Sequence, residues 1–153
     1  MRLTTMTDYA MRLLMYVGQR SNRLCTIAEA ARYYGISEAH LMKITHHLSA
    51  TGWIETTRGK GGGMRLARSP KDINLGAVVR DIETDFHLVE CFATGGTCVL
   101  TGHCRLTSIV NGALEEFLRH LDSYTLADIL LPSVKARTQR SQQPPLTGRV
   151  RIT

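Results

Sequence analysis

No stretch of this 153-residue chain approaches the ~20 consecutive apolar residues that a membrane-spanning helix needs. The opening MRLTTMTDYAMRLLMYVGQR also lacks the continuous apolar block and small-residue cleavage site of a secretory leader; its apolar residues recur at helical spacing instead. A cytoplasmic protein is expected, and with it no disulfide framework for the four cysteines. Paired C-x2-C knuckles, the mark of structural zinc, are missing. So is the phosphate-cradling pattern G-x-x-x-x-G-K-S/T: the nearest approach, RGKGGG, precedes strand-type residues rather than a helix. No nucleophile–base pairing or carboxylate pair stands out and the His residues are scattered, which argues against an enzyme. Acidic residues are absent from 132–153, where five Lys/Arg sit among Pro, Gln and Ser, the composition of a disordered basic tail.

What the chain does have is a concentration of thiols. Cys91, Cys98 and Cys104 fall within fourteen residues, separated by six and five, in a segment rich in Gly and Thr. Gly and Thr clusters favour turns over long helices or strands, so something other than an apolar core must organise this loop. Three soft sulfur donors in an open loop suit an iron–sulfur cluster, which usually takes four ligands. One ligand is therefore missing from the local set. The fourth cysteine, Cys25, lies far from the loop and reads as a small buried thiol.

The formal charge of +6 divides unevenly. Residues 1–80 hold twelve Lys/Arg and five Asp/Glu (net +7), residues 81–131 hold two and eight (net −6), and the tail adds +5. A basic front half fused to an acidic back half suggests that one part meets a polyanion, the alternative being chance segregation of surface charge.

The basic half carries a recognisable order of elements. Met6, Ala10, Leu13, Leu14 and Val17 trace one face of a helix over residues 5–19, with Asp8 in its first turn, where the helix dipole favours a carboxylate. Thr26 caps a short helix to Tyr34, Gly35 breaks it, and Ser37 caps a second running to about Ala50. Two short helices across a tight turn predict a helix-turn-helix, with Glu38, Ala39, His40, Lys43, His46 and His47 directed away from the core. Residues 53–57 and 64–67 read as strands around the basic, Gly-rich tip at 58–63, the layout of a wing. Glu38, Ala39, His40 and Lys43 are the candidates for base reading, and Arg58, Lys60 and Arg65 for phosphate or minor-groove contact.

Beyond the wing, Asn74 caps a helix over 75–82 that turns Val78, Val79 and Ile82 inward. After Cys104 a wide apolar stripe runs through Leu106, Ile109, Val110, Ala113, Leu114, Phe117, Leu118 and Leu121. This predicts a dimerisation helix over 105–122, packing within its own chain being the alternative, and a last short helix over 126–131. The expected organisation is a winged helix-turn-helix domain (1–83), a cluster loop (84–104), a dimerisation helix with a C-terminal helix (105–131) and the basic tail (132–153). The fold class is mainly α with a small β-wing.

Taken together, the helix-turn-helix, the RGKGGGMRLA wing and the C-x6-C-x5-C loop resemble the iron–sulfur winged-helix repressor family. The opening LTTMTDYAMRLLMY and the late LDSYTLADIL are similar to its nitric-oxide-sensing members, and the resemblance covers about residues 1–131. It implies a homodimer on a double-stranded DNA operator, with one cluster per protomer held by Cys91, Cys98 and Cys104. It also implies that the fourth ligand comes from the partner's first helix, at the position of Asp8; His87, Glu90 and His103 are local competitors. On family grounds 4Fe-4S is favoured over 2Fe-2S, and nitrosylation of the cluster is expected to release the operator. The runner-up is a regulator of the same family that senses cluster supply or redox state. An electron-transfer or cluster-carrier protein ranks lower, because a winged helix-turn-helix has no place in it.

Overall fold

The computed structural model describes residues 3–89, 92 and 104–131. Its elements run α1 (Thr5–Gly18), α2 (Ile27–Tyr34), α3 (Glu38–Ala50), β1 (Ile54–Thr57), β2 (Gly63–Leu66), α4 (Leu75–Ile82), α5 (Arg105–Asp122) and α6 (Leu126–Ile129), with a 3-10 turn at Pro70–Asp72. The helix starts are set by local chemistry. The Thr4, Thr26, Ser37 and Asn74 side chains each accept a hydrogen bond from the backbone N–H three residues on, which satisfies a donor that the helix itself leaves open. In α2 the cap is reciprocal, since the Glu29 carboxylate accepts from Thr26 N–H at 2.8 Å. Gly35, with φ of 66°, closes α2 and turns the chain into α3.

One apolar core joins nearly every element. Ala10, Leu13, Leu14 and Val17 of α1 meet Ala30 and Ala31 of α2, and Leu41, Ile44 and Leu48 of α3. Ile54 and Met64 close it from the strands, Val78 and Ile82 from α4, and Leu126 from α6. Burying a side chain of this size contributes about 1.5–3 kcal/mol, so this packing, rather than helix propensity, fixes the tilt of α3. Cys25 is fully buried, as expected of a small apolar thiol, and burial pushes its pKa up. It also exchanges two backbone hydrogen bonds with Met64, at 2.9 and 2.8 Å, and so anchors the wing to the chain before α2.

The wing is a two-stranded antiparallel hairpin with Ile54 opposite Leu66, Glu55 opposite Arg65, Thr56 opposite Met64 and Thr57 opposite Gly63. Its tip needs left-handed backbone at Gly59 (φ 94°) and Gly61 (φ 80°), a conformation that glycine adopts without a Cβ penalty.

Three details depart from the sequence expectation. Met6 is 36% exposed, because it borders an open, shallow hollow with Tyr9, His40 and Lys43 rather than packing into the core as its neighbour Thr7 does. His47 does not point into solvent: it is half-buried against the end of α4. It flanks the buried Ile44–Leu48 side of α3, so an element packed on that side covers it. The final helix ends at Ile129, with Leu130 already extended (ψ 136°). The apolar stripe of α5, expected to face a partner, is mostly not buried within the chain: Leu114 is its only buried residue, while Leu106 and Ile109 are 59% and 68% exposed.

Candidate nucleic-acid interface and metal centre

α3 presents Glu38, Ala39, His40, Met42, Lys43 and His46 to solvent on one side, while Leu41, Ile44, Thr45 and Leu48 hold the opposite side in the core. Glu38 lies in the first turn of α3, where the dipole favours it. The His40 ring is 3.0 Å from the Ser37 hydroxyl through Nδ1, which orients it beside the cap. Lys43 is exposed one turn further on. Met42, 59% exposed, was not among the sequence candidates; a large apolar side chain in solvent on an otherwise polar helix face is the signal that could have found it.

At the wing, Arg58 and Lys60 are exposed at the tip. Arg65 is exposed too, but its guanidinium donates to the Glu55 carboxylate at 2.9 and 2.7 Å across the strands. Arg68 lies over the Trp53 ring, 5.0 Å from its centroid. A helix flanked by a basic loop is the shape and charge that a major groove and its phosphates accept.

The thiol site is seen in part. Cys91 and Cys98, with Glu90 and His103, lie outside the described residues, as does the basic tail. Cys104 is described: it is the residue before α5, partly exposed, on the wall of a cavity of about 650 Å³ that also meets Phe86, His87, Phe92 and Leu114. Hydrogen bonds from the Thr107 backbone and hydroxyl, and from the Leu106 backbone, hold its thiol below the ordinary range. A helix N-terminus stabilises a thiolate, the form that binds metal, so the described part of the site fits a soft-metal cluster. No group of three or more metal-ligating side chains assembles among the described residues. His87 faces the Asp85 carboxylate at 3.6 Å.

Asp8 sits exposed in the first turn of α1, paired with Arg12 through Nε at 3.0 Å and a terminal nitrogen at 2.8 Å. The same end of α1 is tied to the approach to the cysteine loop. Glu83 accepts from Thr4 N–H at 2.8 Å and from the Thr7 hydroxyl at 2.6 Å. Nothing in the sequence pattern signals this link across some 76–79 residues.

The comparisons with known proteins agree with this architecture. The Rrf2 family model, described as an iron-dependent transcriptional regulator, matches residues 3–131. The HTH-type transcriptional regulator NsrR of Geobacillus kaustophilus is 51% identical over 132 residues, covering 85% of this chain and 90% of that protein. The NsrR of Bacillus subtilis is 46% identical with the same coverage. Among solved structures, T. potens IscR matches with a TM-score of 0.70 at 22% identity, covering 95% of this chain and 93% of that one. CymR of B. subtilis matches with a TM-score of 0.65 at 22% identity, covering 84% and 95%. At such identities the structural likenesses establish the fold, and they bear out a mainly α chain with a small β-wing. Among the described residues, no helix is long and apolar enough to cross a membrane. With the family model spanning helix-turn-helix, wing and α5, the chain belongs to the Rrf2 family of transcriptional regulators.

Proposed function

We propose that this protein is a cytoplasmic homodimeric repressor that binds a palindromic operator and releases it when nitric oxide reaches a cluster in its cysteine loop. The observation that carries the reading is the pairing of NsrR-like sequence through α1, the wing and α5 with a thiolate-favouring Cys104 at the head of α5. Cys91, Cys98 and Cys104 would hold the cluster, 4Fe-4S by family resemblance, with Asp8 of the partner subunit as the fourth ligand. A bound cluster would supply iron open to attack by nitric oxide. A carboxylate is a hard donor on soft iron and comparatively labile, which suits a site meant to react.

The chain's own residues do the rest. In each protomer, α3 offers Glu38, Ala39, His40 and Lys43 to base edges, with Met42 as an apolar surface for a thymine methyl. Arg58, Lys60 and Arg65 meet phosphate or the minor groove, Arg65 exchanging Glu55 for a phosphate. The unpaired apolar side of α5 packs on its copy, and half-sites about one turn of DNA apart match the two-fold axis. Asp8 leaving the partner's loop would free one DNA-reading unit to move against the other.

The test is an operator shift assay on anaerobically prepared protein before and after stoichiometric nitric oxide, with iron, sulfide and the visible spectrum followed in parallel. Tight binding by the brown, sulfide-containing dimer and loss of binding on nitrosylation are expected. Equal affinity in both states refutes the reading. A response to iron or peroxide but not to nitric oxide returns the signal to cluster supply or redox state.

A further inference from the structure

The last turn of α4 carries two neighbouring side chains that grip different parts of the molecule. Arg80 donates from both terminal nitrogens to the two carboxylate oxygens of Asp122, at 2.6 and 2.7 Å, at the far end of α5. Asp81 reaches the other way. Its carboxylate accepts from the Trp53 indole N–H at 2.8 Å, one residue before the wing's first strand. His47 Nε2, in the last turn of the recognition helix, lies 3.1 Å from the Asp81 carbonyl and 3.6 Å from its carboxylate.

The connectivity gives this arrangement its consequence. α4 ends at Ile82 and the chain runs directly on toward the cysteine loop, while the loop's last cysteine, Cys104, heads α5. The two helices that bracket the loop are thus clamped together by Arg80 and Asp122. That pair is in turn bonded to both DNA-reading elements through one residue. We propose that Asp81 is the positioning residue through which the state of the cysteine loop reaches the recognition helix and wing. The inference rests on the cluster-controlled binding proposed above and names the element that transmits it. A residue whose carboxylate accepts from a buried indole and whose carbonyl lies in hydrogen-bond range of a half-buried imidazole makes contacts of defined geometry, so a shift of the α4 end moves α3 and the wing with it rather than being absorbed by solvent.

Trp53 is the chain's single tryptophan, so the contact carries its own reporter. The experiment measures operator affinity for cluster-loaded and cluster-free dimers of the wild type and of Asp81→Ala, Asp81→Asn and Trp53→Phe, together with the wavelength of Trp53 emission in the two states. Iron and sulfide content is checked on each. The wild-type ratio of the two affinities is expected in the range of roughly 5- to 150-fold that is typical of coupled sites. In Asp81→Ala and Trp53→Phe it collapses toward one with cluster content retained. Asp81→Asn, which keeps an acceptor for the indole, recovers part of it. The wild-type emission maximum shifts when the cluster is lost. A merely structural role predicts instead that both affinities fall by the same factor and the ratio survives, which overturns the inference. So does an emission maximum that is the same in both wild-type states. If the wild-type ratio is itself one, the cluster-controlled reading fails; if it is large and survives in both Asp81→Ala and Trp53→Phe, only the role of Asp81 does.

Discussion

Truncating Ile109 to alanine should weaken the proposed dimer without harming the protomer. Ile109 is 68% exposed in the isolated chain, so roughly two-thirds of the about 1.5–3 kcal/mol available from burying it, about 1–2 kcal/mol, is left for a partner. In a two-fold interface the substitution counts twice, which gives about 2–4 kcal/mol and, at about 1.4 kcal/mol per decade, a dimer dissociation constant weaker by roughly 30- to 700-fold. The protomer loses little, since a substitution at an exposed site away from caps and networks stays within about 0.5 kcal/mol. Sedimentation equilibrium on cluster-loaded wild type and Ile109→Ala over a range of concentrations measures the first quantity. Urea unfolding of both at high dilution measures the second. An unchanged dimer constant refutes the argument, because it means that the apolar side of α5 is covered by something other than a second copy. A large loss of stability at high dilution refutes it differently, by showing that Ile109 packs within its own chain.

Lys60→Ala, at the tip of the wing, should weaken all DNA sequences alike and reduce the slope of log affinity against log salt by about one, which a titration over several salt concentrations reads directly; a change in sequence preference with the slope intact would contradict a phosphate role. Asp8→Ala should fold and dimerise, since Asp8 is exposed and its Arg12 partner lies on the same helix, but should lose iron faster on exposure to a chelator; identical iron-release rates would remove Asp8 from the ligand set. Glu29 gives a pH prediction. Hydrogen bonds from Thr26 N–H and Arg23 lower its pKa from 4.5 to about 2, so its contribution to stability is fully present above the higher value and is lost as pH falls toward the lower one. Urea midpoints should therefore fall across that acid window in the wild type and fall less in Glu29→Gln; parallel curves would refute the assignment.

Much of this molecule is local and was therefore readable in advance. Thr26, Ser37 and Asn74 start helices because their oxygens satisfy amides three residues away, and Gly35 ends one because it alone tolerates the left-handed turn; these interactions lie within single short segments. The wing follows from strand-forming residues around a glycine tip, and the apolar stripe of α5 from a period of three to four. The cysteine spacing needs no structure at all. Tertiary packing decided which faces survive. Periodicity put Met6 in the core and His47 in solvent, and the packing reversed both: Met6 lies at the rim of a shallow hollow with Tyr9 and His40, and His47 lies against the end of α4. The same holds for every link between the two halves. Glu83 with Thr4 and Thr7, Arg80 with Asp122, and Asp81 with Trp53 and His47 join residues 28 to 79 positions apart. A carboxylate in sequence announces a charge, but not its partner, since the partner is chosen by how helices stack rather than by neighbouring residues. The sequence by itself determined the elements and the cysteine spacing; the fold alone decided how the end of α4 is tied to α3 and the wing.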